Sequence, residues 1–210
     1  MDMVDSNGAS SNISKTRIEA ILSFWFGDVT DLDYGHYRKT WFVKDLGFDQ
    51  RIRQQFLPDT QKAAKGTYER WKALSSSAVA LILLLDQFPR NIYRGQPRSF
   101  ATDNQALAVA NHLVDVGRDH TLIPAQRFFV YLPFEHSEDM RHQNRCVELM
   151  QQLVKDFPDL DEGFRSGLDY AKRHREVIER FGRFPHRNEI LGRQSTPAEV
   201  DFLQQPGSHF

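Results

Sequence analysis

The sequence predicts an all-α protein, and three observations carry that prediction. Apolar residues recur three or four positions apart through most of the chain, which is typical of helices with one buried face. Pairs such as Thr196 and Glu199 form capping boxes that open helices. No stretch shows the alternation of apolar and polar residues that predicts a strand. We therefore expect one compact, solenoid-like (tetratricopeptide-like) helical domain of about eight or nine helices.

The N-terminal region predicts a tail, a helix and a loop. Residues 1–14 are polar and acidic and lack the apolar segment of a signal peptide, so we expect a disordered tail before a single domain over residues 15–210. Thr16 and Glu19 form a capping box for the first helix, which should end at Gly27. Residues 28–47 hold scattered aspartates, glycines and aromatic residues and predict an ordered loop.

The next two predicted helices differ in polarity. Residues 48–71 predict an amphipathic helix with a break at Pro58 or Gly66. Residues 75–88 are apolar on every side, so this helix should be the buried centre of the fold. Pro89 follows directly and is expected to end it.

In the second half of the chain, helices are expected to begin at a capping residue or a proline. The expected starts are after Thr102 (with Gln105 as a capping box), at Pro124, at Ser137, near Leu160 and after Thr196. The helix from Pro124 should end at Pro133, and the helix from Leu160 at Gly182. Pro185 then begins a short helical turn.

Composition excludes several classes of protein. A formal net charge of -1 gives no overall attraction to nucleic acid, so nucleic acid is not an expected partner. The longest apolar run, residues 78–85, is far shorter than the roughly 20 residues of a membrane helix, and we expect no membrane association. One cysteine, Cys146, precludes an internal disulfide and fits a reducing compartment, so we predict a cytoplasmic protein.

Three stretches share a design: an apolar helix, a proline expected to end or separate it, and a polar cluster. They cover residues 83–95, 128–139 and 181–188. In the first, Asp86 precedes Pro89 and would face the negative end of its own helix, so it needs a cation such as Arg90. If the three stretches meet, they would gather carboxylates, histidines and arginines around an apolar wall.

Those residue types suit general acid–base chemistry on an anion. Histidines titrate near neutral pH, and arginines bind carboxylate or phosphate groups through paired hydrogen bonds. The candidate catalytic residues are Asp86, His136, His174 and His186. The candidate ligand-binding residues are Arg90, Asn91, Glu138, Arg183, Arg187 and Asn188.

A structural role for these residues is equally open, because ion-pair networks often join helix ends without any chemistry. His174 lies on the apolar stripe of its helix and also suits a hydrogen-bonded core residue. The sequence has no H-E-x-x-H motif and no glycine-rich nucleotide loop, so we predict no metal and no cofactor. A metal site assembled from Glu135, His136 and His174 is the alternative.

Several motifs resemble those of the domain-of-unknown-function family 924. They are FWFG at 24–27, LLLDQFPRN at 83–91, FVYLPFEHSED at 129–139 and RFGRFPHRN at 180–188. The resemblance spans nearly all of residues 18–210 and implies a fold similar to tetratricopeptide-like helical domains. Its matching polar positions are those of the ten candidates above, together with Ser137. It implies no established activity.

Two functions remain open at this stage. In the first, the protein is an enzyme that acts on a small anionic molecule by general acid–base chemistry in a His/Arg/Asp-lined pocket. In the second, it is a non-catalytic tetratricopeptide-like adaptor that binds a peptide or protein, and the polar residues are a structural network. The first predicts one solvent-accessible pocket; the second predicts dispersed buried ion pairs and an exposed apolar groove.

Overall fold

The computed structural model describes residues 6–208, with side chains for residues 15–208, and within this range every regular element is helical. The α-helices are α1 Ser6–Phe26, α2 Leu46–Ala64, α3 Ser75–Ile82, α4 Phe88–Ile92, α5 Asp103–Asp115, α6 Pro124–Glu135, α7 Met140–Asp156, α8 Glu162–Phe181 and α9 Pro197–Leu203. Short 3-10 turns lie at Lys39–Trp41, Glu69–Ala73, Pro97–Ser99, Arg118–Thr121 and Pro185–Arg187. The all-α prediction is confirmed.

Helix α1 begins earlier than the sequence indicated. It starts at Ser6, so the backbone of residues 6–14 is helical where a disordered tail was expected, and residues 1–5 of that tail lie outside the described residues. The end of the helix is where the sequence predicts it. Gly27 follows α1 with φ of +94°, a conformation that other residues rarely adopt.

The apolar segment over residues 77–89 is buried throughout, as expected, but its helix does not end before Pro89. Helix α3 continues through a π-turn over Leu83–Gln87 into α4, which holds Pro89 in its first turn. In this turn the Phe88 N–H donates to the Leu83 carbonyl, five residues back. Asp86 therefore lies inside a continuous helical segment, and the prediction that it faces a helix C-terminus is wrong.

Pro89 explains the π-turn. Proline has no N–H, and its ring clashes with the carbonyl four residues earlier, here that of Leu85. The wider turn relieves this clash, and side chains supply the missing donors. The Thr102 hydroxyl donates to the Leu85 carbonyl, and Arg90 Nη1 donates to the Asp86 carbonyl at 2.7 Å. Thr102 thus precedes α5 without capping it through its side chain.

Helix α6 also continues past the proline expected to end it. Pro133 lies inside the helix, which runs to Glu135. The buried Gln143 of α7 donates to the carbonyls of Glu135 and Ser137, both at 2.6 Å, and so satisfies the end of α6. Asp139, rather than Ser137, caps α7 by accepting from the Arg141 N–H. The capping box of α9 at Thr196 is confirmed.

Helix α3 is central: it packs against α1, α5 and α6, while α5, α6, α7 and α8 contact one another in sequence. A second, smaller apolar cluster of Val177, Ile178 and Phe184 joins the end of α8 to the C-terminal segment. A regular solenoid arrangement of these helices stays a prediction. Among the described helices, none combines the length and apolarity needed to cross a bilayer.

Candidate functional site

A partly open pocket of about 510 Å³ lies where the three polar stretches meet α8 and the loop after α1. Pockets that bind small molecules typically have roughly 300–1,000 Å³. Six of the candidate residues line it: Arg90, Asn91, His136, His174, His186 and Arg187. The other four, Asp86, Glu138, Arg183 and Asn188, are not part of its lining. The three stretches therefore do converge, although not every candidate faces the pocket.

Asp86 lies fully buried behind the pocket wall and holds two residues of the lining. Its Oδ1 is 2.8 Å from His136 Nδ1 and 3.2 Å from Arg90 Nη1. Gln87 Nε2 donates to the other oxygen at 2.6 Å. Burial alone would raise the pKa of Asp86, but the charge of Arg90 and the contact with His136 lower it below its ordinary value. An ionised Asp86 fixes the His136 tautomer with the proton on Nδ1.

His136 and Glu135 are neighbours in sequence, and both are uncharged over a range around neutral pH. Burial and the charge of Arg90 lower the pKa of His136, and these effects outweigh the attraction of Asp86. Burial and the charge of Asp86 raise the pKa of Glu135 to about 8. The ionised carboxylate of Asp86 thus lies near the neutral carboxyl of Glu135. Pairs of groups with pKa values shifted in opposite directions are common where one acts as an acid and the other as a base.

Glu135 was noted in the polar cluster but was not among the ten candidates. It lines the pocket, its side chain is buried, and its Oε2 makes no hydrogen bond with the described residues. Its Oε1 lies 3.5 Å from His174 Nδ1. The sequence shows a carboxylate at the end of an apolar helix. It does not show that this carboxylate is buried beside a second acid, Asp86.

His174 is buried, as its place on the stripe of α8 predicts. Its Nδ1 lies 2.9 Å from the Tyr170 carbonyl, which accepts a hydrogen bond from the protonated Nδ1. Burial lowers the pKa of His174 to about 3, so the ring is neutral at physiological pH. Phe184 packs against it with ring centroids 5.5 Å apart, and His186 lies 5.6 Å from Phe184 on the same measure.

Two arginines of the lining share one acid, Asp103. Arg90 donates to both of its oxygens, at 2.9 and 3.0 Å, and Arg187 Nη1 donates to one at 3.3 Å. Both guanidinium groups also lie over the Phe100 ring, 5.7 and 4.7 Å from its centroid. Sequence reasoning missed Asp103. Its one signal, an acid in the first turn of a helix, is too common to indicate a site.

Arg187 is incompletely paired within the described residues. It is 7% exposed, and its Nε is buried and makes no hydrogen bond. Asp103, through Nη1, is the hydrogen-bond partner of its guanidinium within residues 15–208. Burial and the charge of Arg90 lower the pKa of Arg187 to about 10, which leaves it charged at neutral pH.

Glu138 and Arg183 hold the C-terminal segment instead of lining the pocket. Glu138 accepts from Arg193 at 2.7 and 2.9 Å, and Arg183 donates to Glu199 at 2.7 and 2.8 Å. We call residues 183–199 together with Glu138 the C-terminal clasp. His186 and Arg187, which belong to the clasp, line the pocket.

The two candidate asparagines are both bound by neighbouring side chains. Asn91 lines the pocket and donates to Asp49 at 2.7 Å, and Arg94 donates to the same carboxylate at 2.8 Å through two nitrogens. Asn188 is buried and donates to Ser195 Oγ at 3.0 Å within the clasp. These contacts indicate that Asn91 and Asn188 position the pocket wall.

Much of the remaining pocket wall is aromatic. The rings that line the pocket are those of Tyr37, Trp41, Phe42, Phe100, Phe128 and Tyr170. Gly163 and Gly167, one turn apart on α8, let two of these rings pack directly on the helix backbone. A Cβ at Gly163 would lie 2.3 Å from the Tyr37 ring, and one at Gly167 would lie 2.3 Å from the Phe128 ring.

Comparison with known proteins places the chain in a family. Residues 21–207 match the family model described as bacterial protein of unknown function, DUF924. The chain belongs to the DUF924 family. It is also similar to the solved structure of a protein of unknown function from Agrobacterium tumefaciens, with 37% sequence identity and a TM-score of 0.77 over 91% of this chain and 98% of that one. No curated protein sequence gives a significant match.

The resemblance drawn from the sequence motifs is thus confirmed, and the DUF924 motifs can be placed in the fold. Two of the polar motifs, at 83–91 and 129–139, supply the Asp86–His136 contact. Among the described residues of this DUF924 protein, no group of three or more His, Cys, Asp or Glu side chains is arranged to hold a metal ion. The expected absence of a metal stays a prediction.

Proposed function

We propose that the pocket binds a small organic anion and that His136 acts on it as a general base. The observation that carries this proposal is the buried contact of 2.8 Å between Asp86 and His136, with the imidazole on the pocket wall. An ionised carboxylate at Nδ1 orients the ring, keeps Nε2 unprotonated and stabilises the imidazolium that forms when Nε2 accepts a proton.

Glu135 supports the same chemistry as the complementary acid. With a pKa of about 8, its carboxyl is largely protonated at neutral pH and close enough to that pH to donate a proton. The pocket therefore combines a neutral base and a neutral acid. Arg187 adds a positive charge that is shared with one acid, Asp103, and suits the anionic group of a ligand.

A covalent mechanism through an amino-acid nucleophile has less support. Ser99 and Ser166 line the pocket, but their hydroxyls donate to the carbonyls of Gln96 and Gly163, at 2.6 and 2.8 Å. Cys146 is buried, and burial raises the pKa of its thiol well above the ordinary value, which disfavours the reactive thiolate. We therefore propose proton abstraction from the substrate, or from a water that attacks it.

The proposal is tested by incubating the protein with a mixture of cellular small molecules and following each compound by mass spectrometry. The wild type should deplete one organic anion, and His136→Asn should do so at least about 100-fold more slowly. The asparagine amide can still donate to Asp86, so the fold should persist. His112→Asn, an exposed histidine on α5, is the matched control. Equal turnover by His136→Asn would disprove the proposal.

The adaptor function has separate support from the loop before α2. Val29, Leu32 and Val43 are exposed there, as is Leu46 at the start of α2, and exposed apolar side chains can bind a peptide or protein. An adaptor would lose a partner on Leu32→Asp with Leu46→Asp, while the enzyme would keep its turnover. We favour the enzyme because six candidates converge on one pocket.

A further inference from the structure

We infer that the ligand of this pocket is an elongated monocarboxylate with an aromatic or otherwise apolar body. Its carboxylate would bind Arg187, and its body would lie along the aromatic wall on α8. The inference rests on the proposed function only in taking this pocket as the ligand site. It adds the chemical class of the ligand and its orientation.

The first step is the geometry of Arg187. Its Nη1 is engaged with Asp103, whereas its buried Nε has no hydrogen-bond partner among residues 15–208. The Nε and Nη2 groups form one edge of the guanidinium, and such an edge binds a carboxylate through two parallel hydrogen bonds once the side chains that cover Nε shift aside. A buried charged donor without an acceptor is costly, so a ligand that supplies one is strongly favoured.

The second step is the charge at the polar end of the pocket. Arg90 and Arg187 contribute two positive charges, and Asp86 and Asp103 contribute two negative charges. These charges sum to zero, and Glu135 is largely neutral at pH 7. A phosphate dianion would add two negative charges beside the buried Asp86 and the partly buried Asp103, whereas a carboxylate adds one. The charge balance therefore favours a monocarboxylate.

The third step is the polarity gradient along α8. Five residues of the helix line the pocket: Gly163, Ser166, Gly167, Tyr170 and His174. From the first to the last the helix rises by about 16 Å, because each residue adds about 1.5 Å. The Tyr37 and Phe128 rings pack at the glycine end, and His174 marks the polar end.

Phe184 links the polar end of α8 to Arg187. Its ring centroid lies 5.5 Å from that of His174 and 4.6 Å from the Arg187 guanidinium carbon. A ligand that spans the pocket would therefore place its anionic group near Arg187 and its apolar body against the Tyr37 and Phe128 rings, which cover Gly163 and Gly167. Tyr37 and Phe128 both line the pocket, so their rings give it an apolar surface.

The test uses four probes with the purified full chain: 4-phenylbutyrate, its amide 4-phenylbutanamide, butyrate, and 3-phenylpropyl phosphate. Dissociation constants are measured by calorimetry at pH 7 and low salt. We expect 4-phenylbutyrate to bind at least about tenfold more tightly than each of the others, the change that 1.4 kcal/mol produces. Equal binding of acid and amide, tighter binding of the phosphate ester, or no binding of any probe would overturn the inference.

Substitutions at two positions locate the ends of the probe. Arg187→Gln should reduce the affinity for 4-phenylbutyrate to that for the amide, and Arg187→Lys, which keeps the charge but lacks the planar edge, should lose most of the preference. Gly167→Ala should push Phe128 into the pocket and weaken 4-phenylbutyrate without affecting butyrate. Arg145→Gln, an exposed arginine on α7, is the control. An unchanged acid preference in both Arg187 variants would contradict the inference.

The ligand class and the catalytic proposal can fail separately. If the acid preference is absent but His136→Asn still abolishes turnover, the ligand class is wrong and the catalytic role of His136 stands. If the acid preference depends on Arg187 but His136→Asn turns over normally, the ligand class stands and the catalytic role is wrong.

Discussion

The pocket wall and the C-terminal clasp contain the same residue types, arginines and carboxylates that follow Phe-Pro turns or helix ends, but they pair their charges differently. In the clasp, Glu138 and Glu199 each accept at least two hydrogen bonds from an arginine. On the pocket wall, Glu135 Oε2 and Arg187 Nε are buried without a partner in the described chain. Arg193 Nε of the clasp is also buried without a partner in the described chain, so an unpaired atom marks the candidate site only where its residue lines the cavity, as Glu135 and Arg187 do.

The largest effect on the free energy of unfolding is expected from substitution of Asp86, which holds the pocket wall. Asp86→Asn removes the buried charge that compensates Arg90 and orients His136. Loss of one partner from a buried charge network costs about 3–5 kcal/mol, and the second acid on Arg90 should keep the cost near the lower value. Urea denaturation at pH 7 measures the free energy of unfolding.

The control for that measurement is Asp169→Asn, the same change at an exposed position on α8. It should leave the denaturation midpoint nearly unchanged. If both substitutions had equally small effects, Asp86 would not hold the pocket wall together.

A smaller effect should come from Glu135, and it depends on pH. Its pKa rises from 4.5 to about 8 on folding, so its contribution to stability is complete below pH 4.5 and is lost as pH rises toward 8. His174, whose folded pKa is about 3, loses stability only as pH falls below its ordinary value of 6.5. Between pH 6.5 and 8, Glu135 is therefore the one of these two residues that makes the free energy of unfolding depend on pH.

In that interval the wild type should lose up to about 1.4 kcal/mol of unfolding free energy per pH unit more than Glu135→Gln does. Urea denaturation of the two proteins at several pH values measures the difference between the slopes. Parallel slopes would mean that Glu135 is ionised in the folded protein, and its role as an acid would be lost.

The smallest effect is expected in the clasp. Glu138→Gln keeps the shape of the side chain but weakens the contacts with Arg193 and the Phe184 N–H, which should cost about 1–2 kcal/mol. The affinity for 4-phenylbutyrate should change by less than about twofold, because Glu138 does not line the pocket. An affinity loss as large as that of Arg187→Gln would place Glu138 in the site.

Much of the fold and part of the site could be predicted from local sequence patterns. The spacing of apolar residues on α8 predicted that Ala171 and His174 would be buried, and both are. The helix ends at Gly27 and Gly182 were correct because a positive φ is a local property of glycine. Proline was a less reliable guide. Pro133 lies inside α6, and Pro89 lies inside a helical segment because the Thr102 hydroxyl and a π-turn satisfy the backbone that it disrupts.

The amino-acid sequence by itself determined the all-helical class, the family and the residue types that the pocket gathers, because periodicity and motifs are properties of neighbouring residues. Tertiary structure alone decided which charges are paired. Asp103 binds both Arg90 and Arg187, while burial and the charge of Asp86 raise the pKa of Glu135 to about 8. Burial and pairing depend on helices distant in sequence, and these two properties set the protonation states on which the proposed chemistry depends.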